Sequence, residues 1–107
     1  MDLAFDSYQL TRSFPAEEKF GLVSQIRRSA SSIPANIAEG HGRRSTGAFL
    51  NHLSIARGSL MELETHLILS ERLSFIDSEC CKSNLLATEE ISRMLAGLIA
   101  SLQRKHS

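Results

Sequence analysis

Two arginine pairs, Arg27-Arg28 and Arg43-Arg44, are the residues of this 107-residue chain best suited to chemistry, and that chemistry is anion binding. A guanidinium presents a rigid fork of donors that matches phosphate or carboxylate oxygens two at a time. The pairs lie within Gln25 to Ser45, QIRRSASSIPANIAEGHGRRS, around a helical stretch interrupted by one proline. The second pair just precedes a helix start, where free backbone N–H groups and the helix dipole already favour negative charge. The same arginines also suit structural ion pairs with Glu17, Glu18, Glu39 or the carboxylates of a neighbouring subunit.

Catalytic and metal chemistry find little support. His41 and His52 are of the residue type that serves as general acid or base, but neither has a nucleophile partner in the sequence, so both read as surface histidines. Glu62 and His66 stand one helical turn apart and read as a solvent-facing pair, not a metal site. A di-iron bundle needs Glu-x-x-His, yet Gly42, Thr65 and Leu67 follow Glu39, Glu62 and Glu64 at that spacing. No phosphate loop follows a strand. Cys80 and Cys81 are adjacent, a spacing that disfavours a disulfide and matches no metal motif, so they read as reduced, small apolar residues. The expectation is a non-enzymatic protein with no catalytic residue, metal ligand or cofactor. Tyr8 alone is a poor basis for base stacking, so sequence-specific reading of a single strand is not expected.

Twelve basic residues balance twelve acidic ones, so any basic site is local. Several subunits placing Arg43 and Arg44 around one axis would concentrate that charge. The N-terminal MDLAFDSYQL lacks the basic region of a secretory signal. In the third helix the longest aliphatic run is Leu67 to Leu69, far short of the ~20 residues of a membrane span. A cytoplasmic protein without membrane contact is expected.

The elements that position the arginines follow from apolar spacing, which is helical nearly everywhere. Leu3 to Thr11 forms a short first helix that stops ahead of Pro15, which opens the next turn with Glu17 and Glu18 behind it. Leu22, Ile26, Ala30, Ile33 and Ile37 make one stripe on a second helix ending near Gly40, with a kink expected at Pro34. Ala30, Ser31, Ala35 and Ala38 would admit another helix at that bend. Gly40 and Gly42 supply the unrestricted backbone that ends the helix, and Ser45 or Thr46 caps the third, Thr46 to about Arg72. That helix carries a heptad seam of Phe49, Leu53, Ala56, Leu60, Leu63, Leu67 and Ser70. A fourth helix opens at Asp77 or Ser78 and carries Thr88, Ile91, Leu95, Leu98 and Leu102. Residues 1–107 therefore form one all-α domain, an up-and-down antiparallel, left-handed four-helix bundle with a kinked second helix.

Ser13 to Leu67 also closely resembles the four-helix-bundle family of 23S rRNA intervening sequence proteins. The residues that carry the resemblance are Phe14-Pro15, Gln25-Ile26-Arg27-Arg28, Ser32-Ile33-Pro34, Asn36 to Gly40, Gly42 to Ser45, Gly58-Ser59-Leu60 and Glu62 to Thr65. The resemblance implies a homopentameric ring with no known catalytic activity, from a family linked to insertions in ribosomal RNA genes. A related branch, the accessory variability proteins of diversity-generating retroelements, is similar to a basic pentamer that binds nucleic acid and a reverse transcriptase. Two departures stand out. The family normally begins earlier with a longer first helix, so the start is expected to be truncated or misassigned. Ala48 stands where a glutamate would complete a capping box with Ser45. The leading expectation is an oligomeric scaffold that binds structured RNA or DNA through Arg27, Arg28, Arg43 and Arg44. The alternative is a ring that docks a partner protein, with the arginines in interface ion pairs.

Overall fold

A computed structural model describes residues 2–106. It contains α1 (Asp2–Thr11), a single 3-10 turn (Ala16–Glu18), α2 (Leu22–His41), α3 (Thr46–Arg72) and α4 (Ser78–His106), with no strand among the described residues. Each helix packs on its neighbour in sequence and α4 returns to touch α1, while the backbones of the diagonal pairs stay apart. This is the neighbour order of an up-and-down bundle. The molecule is a rod of 47 × 23 × 18 Å.

Helix α3 is the spine. Its seam residues Leu53, Ala56, Leu60, Leu63, Leu67 and Ser70 are all at most 1 % exposed, and Phe49 is half-buried at the end of the row. The expected stripe of α2 meets it, with Leu22, Ile26, Ala30 and Ile33 buried and Ile37 half-buried. Each large aliphatic side chain removed from water in this way contributes about 1.5–3 kcal/mol. On α4, Thr88 and Leu95 are buried, and Ile91, Leu98 and Leu102 are half-buried. The Thr88 hydroxyl lies 2.8 Å from both Glu64 Oε2 on α3 and the Leu85 carbonyl, so the one buried polar residue of the α4 seam is satisfied.

Helix α2 runs unbroken from Leu22 to His41 through Pro34. Pro34 is half-buried and faces α1 and α4, lining a small apolar groove with Leu3, Ile33, Ile37 and Met94. Of the small residues around it, Ala30 is buried at the α1 contact, but Ala35 and Ala38 are exposed.

The ends of the helices revise the expected roles of several residues. Pro15 (φ −54°, ψ 143°) sits one position ahead of the 3-10 turn, not inside it. Among the described residues no glycine has a positive φ. Gly42 is nearly helical (φ −77°), and Gly40 is needed for space: a Cβ there would lie 2.7 Å from His52 Cβ and 2.9 Å from Phe49 Cδ1. Ser45 caps α3 by accepting from the Ala48 N–H at 3.1 Å, and Asp77 caps α4 by accepting from the Cys80 N–H at 2.7 Å. The left-handed residue is Ser74 (φ 62°), at the end of α3. There Ser74 N–H donates to the Glu71 carbonyl and Phe75 N–H to the Ser70 carbonyl, both at 2.9 Å, closing a Schellman motif. The side chains of the two connections at this end meet: the Phe14 and Phe75 ring centroids are 5.3 Å apart.

Candidate nucleic-acid interface

The four arginines form two sites, not one. Arg27 and Arg28 lie in the first third of α2, whereas Arg43 and Arg44 follow its C-terminus, about 20 Å away at 1.5 Å per helical residue.

Arg27 is held by α1. Its Nε donates to Thr11 Oγ1 at 2.8 Å, and the Thr11 hydroxyl in turn donates to the Ser7 carbonyl at 2.9 Å. Its guanidinium carbon lies 4.7 Å from the centroid of the Tyr8 ring, a cation–π contact. These two restraints fix the guanidinium and leave its terminal N–H groups able to donate to an anion. Arg28, one residue on, points across to α3, where its Nη2 lies 3.6 Å from Glu62 Oε1; both groups remain well exposed. An exposed pair of that length contributes little to stability.

Sequence reasoning missed what surrounds Arg27. Two open clefts of about 360 and 390 Å³ flank it, and Lys19, Val23 and Arg27 line both. Arg12 borders the first, while Tyr8, Phe20 and Arg28 border the second. Phe20 is 90 % exposed and Tyr8 45 %, with Lys19 Nζ 5.7 Å from the Phe20 ring centroid. Arg12, Lys19 and Arg27 form no salt bridge among the described residues. The signal available in the sequence was Phe20 itself: the apolar stripe begins at Leu22, two residues later, so Phe20 falls outside it.

The other pair is differently disposed. Arg43 bonds to Glu39 one turn back, as the structural alternative expects for that residue. Arg44 is exposed and lies beside the N-terminus of α3, whose Ala48 N–H is already taken by Ser45.

Between the two sites runs a polar chain across the α2–α3 contact. Ser59 Oγ donates to Ser32 Oγ at 2.9 Å, and Asn36 Nδ2 donates to the Ser32 carbonyl and hydroxyl at 2.9 and 3.0 Å. The amide oxygen of Asn36 can only accept, so the proton in its 3.1 Å bond with His52 is on His52 Nδ1. His52 is thus a half-buried interhelical link, not a surface group. His41 is exposed, edge-on to Phe49 at 5.8 Å. His66 also departs from expectation. Its Nε2 is 3.6 Å from Glu62 Oε1, but its side chain is only 16 % exposed and both ring nitrogens are buried without a hydrogen bond.

Both cysteines are free. Burial, with the Asp77 carboxylate secondary, raises the Cys80 thiol; burial and then Glu71 raise Cys81. Such thiols are poor nucleophiles near neutral pH. Among the described residues no three His, Cys, Asp or Glu side chains cluster to hold a metal, and no helix is long and apolar enough to cross a membrane.

Comparison with known proteins agrees with this architecture. A crystal structure of a protein of unknown function from the S23 ribosomal protein family of Bacteroides thetaiotaomicron superposes with a TM-score of 0.86. The two share 33 % identity over 92 % of this chain and 89 % of that one. No curated protein matches. Residues 1–97 match the family model described as 23S rRNA-intervening sequence protein. On that match and that structural likeness, the chain belongs to the 23S rRNA-intervening sequence protein family.

Proposed function

We propose that this protein is a non-enzymatic, oligomeric scaffold of the cytoplasm that binds structured RNA or DNA through its arginines. The observation that carries this reading is the basic cluster at Arg27 and Arg28. On a chain of zero net charge, Arg12 borders one of the clefts beside Arg27 and Lys19 borders both, and among the described residues neither they nor Arg27 forms a salt bridge with a carboxylate. Arg43 and Arg44 extend the surface to the far end of α2, with Arg44 contributing more because Arg43 is paired with Glu39.

Assembly is part of the proposal. Helix α3 leaves Ile55, Met61, Ile68 and Leu69 between 43 and 63 % exposed, apolar surface that association would cover. A homopentamer would repeat the arginine clusters around one axis and raise the local field several-fold.

A second reading is favoured by the pairing of Arg28 with Glu62 and Arg43 with Glu39. In that reading the ring docks a protein, such as a reverse transcriptase-like partner, and the arginines are structural.

Fluorescence anisotropy with a structured RNA and a matched DNA duplex at several salt concentrations separates the two. Wild type should bind with a steep salt dependence that Arg27→Ala, Arg28→Ala loses most and Arg43→Ala, Arg44→Ala loses in part. Absence of binding at low salt overturns the nucleic-acid reading and leaves the protein-docking one. Light scattering tests the assembly against about five times the 11.8 kDa protomer.

A further inference from the structure

We propose that the paired clefts around Arg27 hold a single-stranded segment of RNA or DNA, with bases stacked on Tyr8 and Phe20 and phosphates on Arg12, Lys19, Arg27 and Arg28. This rests on the nucleic-acid reading above and narrows it to one site and to the unpaired segments of the nucleic acid.

Four observations support it. Phe20 is 90 % exposed, more than any other large hydrophobic side chain among the described residues. Tyr8 borders the same cleft with the Arg27 guanidinium 4.7 Å from its ring centroid, so a stacked Arg27–Tyr8 pair and the Phe20 ring are presented together although the two aromatics are twelve residues apart. The cations are interleaved with them: Arg27 stacks on Tyr8 and Lys19 sits beside Phe20. Finally, the two clefts share a wall, and each, at about 360 and 390 Å³, falls within the range of small-ligand sites.

The chemistry selects the occupant. A protein partner offering apolar side chains to the rings would desolvate Lys19, a residue type depleted from such interface cores, with no negative charge to answer it. A nucleotide strand supplies a planar apolar face and a negative charge at every repeat, which answers both components at once. Duplexes are less suited, because their bases are already stacked on each other and only their phosphates are available. Arg28 shares its charge with Glu62 at 3.6 Å, and Glu17 and Glu18 lie on the 3-10 turn beside Lys19, but Arg12, Lys19 and Arg27 form no salt bridge among the described residues.

Tyr8 provides a built-in probe, since the chain has one tyrosine and no tryptophan. Unlabelled 12-nucleotide oligouridylate and oligodeoxythymidylate would be titrated into the full-length protein while tyrosine emission is read, with N-acetyltyrosinamide correcting for absorbance. The expected result is saturable quenching that coincides with binding by anisotropy. Four phosphate contacts predict a log–log salt slope of about −3. Phe20→Ala should weaken oligonucleotide binding about 5- to 100-fold, leave heparin binding unchanged and leave the mass of the assembly unchanged. Phe20→Tyr should restore affinity.

The failures are distinguishable. If a structured RNA or duplex binds but the oligonucleotides neither quench Tyr8 nor respond to Phe20→Ala, this inference falls and the broader reading stands. If nothing nucleic binds at low salt, both fall. If Phe20→Ala lowers the assembly mass, the ring belongs to a subunit interface and the proposed site is overturned.

Discussion

Phe14 and Phe75 lie ring to ring, with centroids 5.3 Å apart and planes inclined at 53°, and thereby join the α1–α2 connection to the α3–α4 turn. Phe14 is 8 % exposed, so its removal opens a cavity at the end of the bundle. Phe14→Ala should cost about 3 kcal/mol in urea denaturation, and Phe14→Leu far less. A double-mutant cycle with Phe75→Leu should give a coupling of about 0.5–1.5 kcal/mol. A coupling near zero would mean that the rings are neighbours without mutual stabilisation.

Gly40 tests the closeness of α2 and α3. Alanine is the better helix former by about 1 kcal/mol, but here its Cβ would press on His52 Cβ, which has little freedom to withdraw. Gly40→Ala should therefore lose about 1–2 kcal/mol net and disturb the Asn36–His52 bond, visible as a shift of the His52 ring signals in NMR. Gly58 and Gly97, exposed positions where an added Cβ would meet nothing within 4 Å, are the controls. Gly97→Ala should gain about 0.5–1 kcal/mol.

Ser74 holds a left-handed backbone that glycine adopts without steric cost. Ser74→Gly should raise stability by about 0.5–1 kcal/mol, and Ser74→Val should lower it by more, both read as shifts in the denaturation midpoint. Equal stability of all three would indicate that the Schellman bonds from Ser74 and Phe75 do not hold in solution.

The thiols predict an alkaline loss of stability. Cys80 and Cys81 are both raised above their ordinary value of 9.0, chiefly by burial. The unfolded thiols then release protons first, so stability from this source is intact below about pH 9 and declines as pH rises towards the folded values. Unfolding free energies measured from pH 7 to 10 should fall more steeply for the wild type than for Cys80→Ala, Cys81→Ala. Parallel curves would refute the assignment.

Much of the fold was legible because its signals are local and periodic. The seam from Phe49 to Ser70 is spaced so regularly that its burial and the limits of α3 follow from the sequence. Ser45 and Asp77 are capping residues at helix starts for the same local reason. What escaped depends on residues distant in sequence. Gly40 reads as a helix terminator until His52 and Phe49 are seen against it. Asn36 and His52, sixteen residues apart, become partners only when α2 lies on α3. Arg27 and Arg28 stood out in the sequence as candidate anion binders, yet Tyr8, Arg12, Lys19 and Phe20 gather around them only through the α1–α2 crossing. The left-handed turn fell on a serine, a residue type that seldom signals it.

The Gly42–Ser45 turn joins the two helices that share the most extensive contact in the molecule, with contacting residues brought together over short stretches of chain. Closing so small a loop carries little entropic penalty, and local contacts of this kind form early. The α2–α3 hairpin is thus the natural nucleus, onto which the ten-residue α1 and the long α4 condense later. Substitutions at Gly40 or Asn36 should then slow folding, whereas those at Phe14 should chiefly hasten unfolding, a division that the two arms of a chevron plot resolve. On this order of events the Arg27 clefts, which need α1 in place, are the last part of the surface to be completed and the first to be lost.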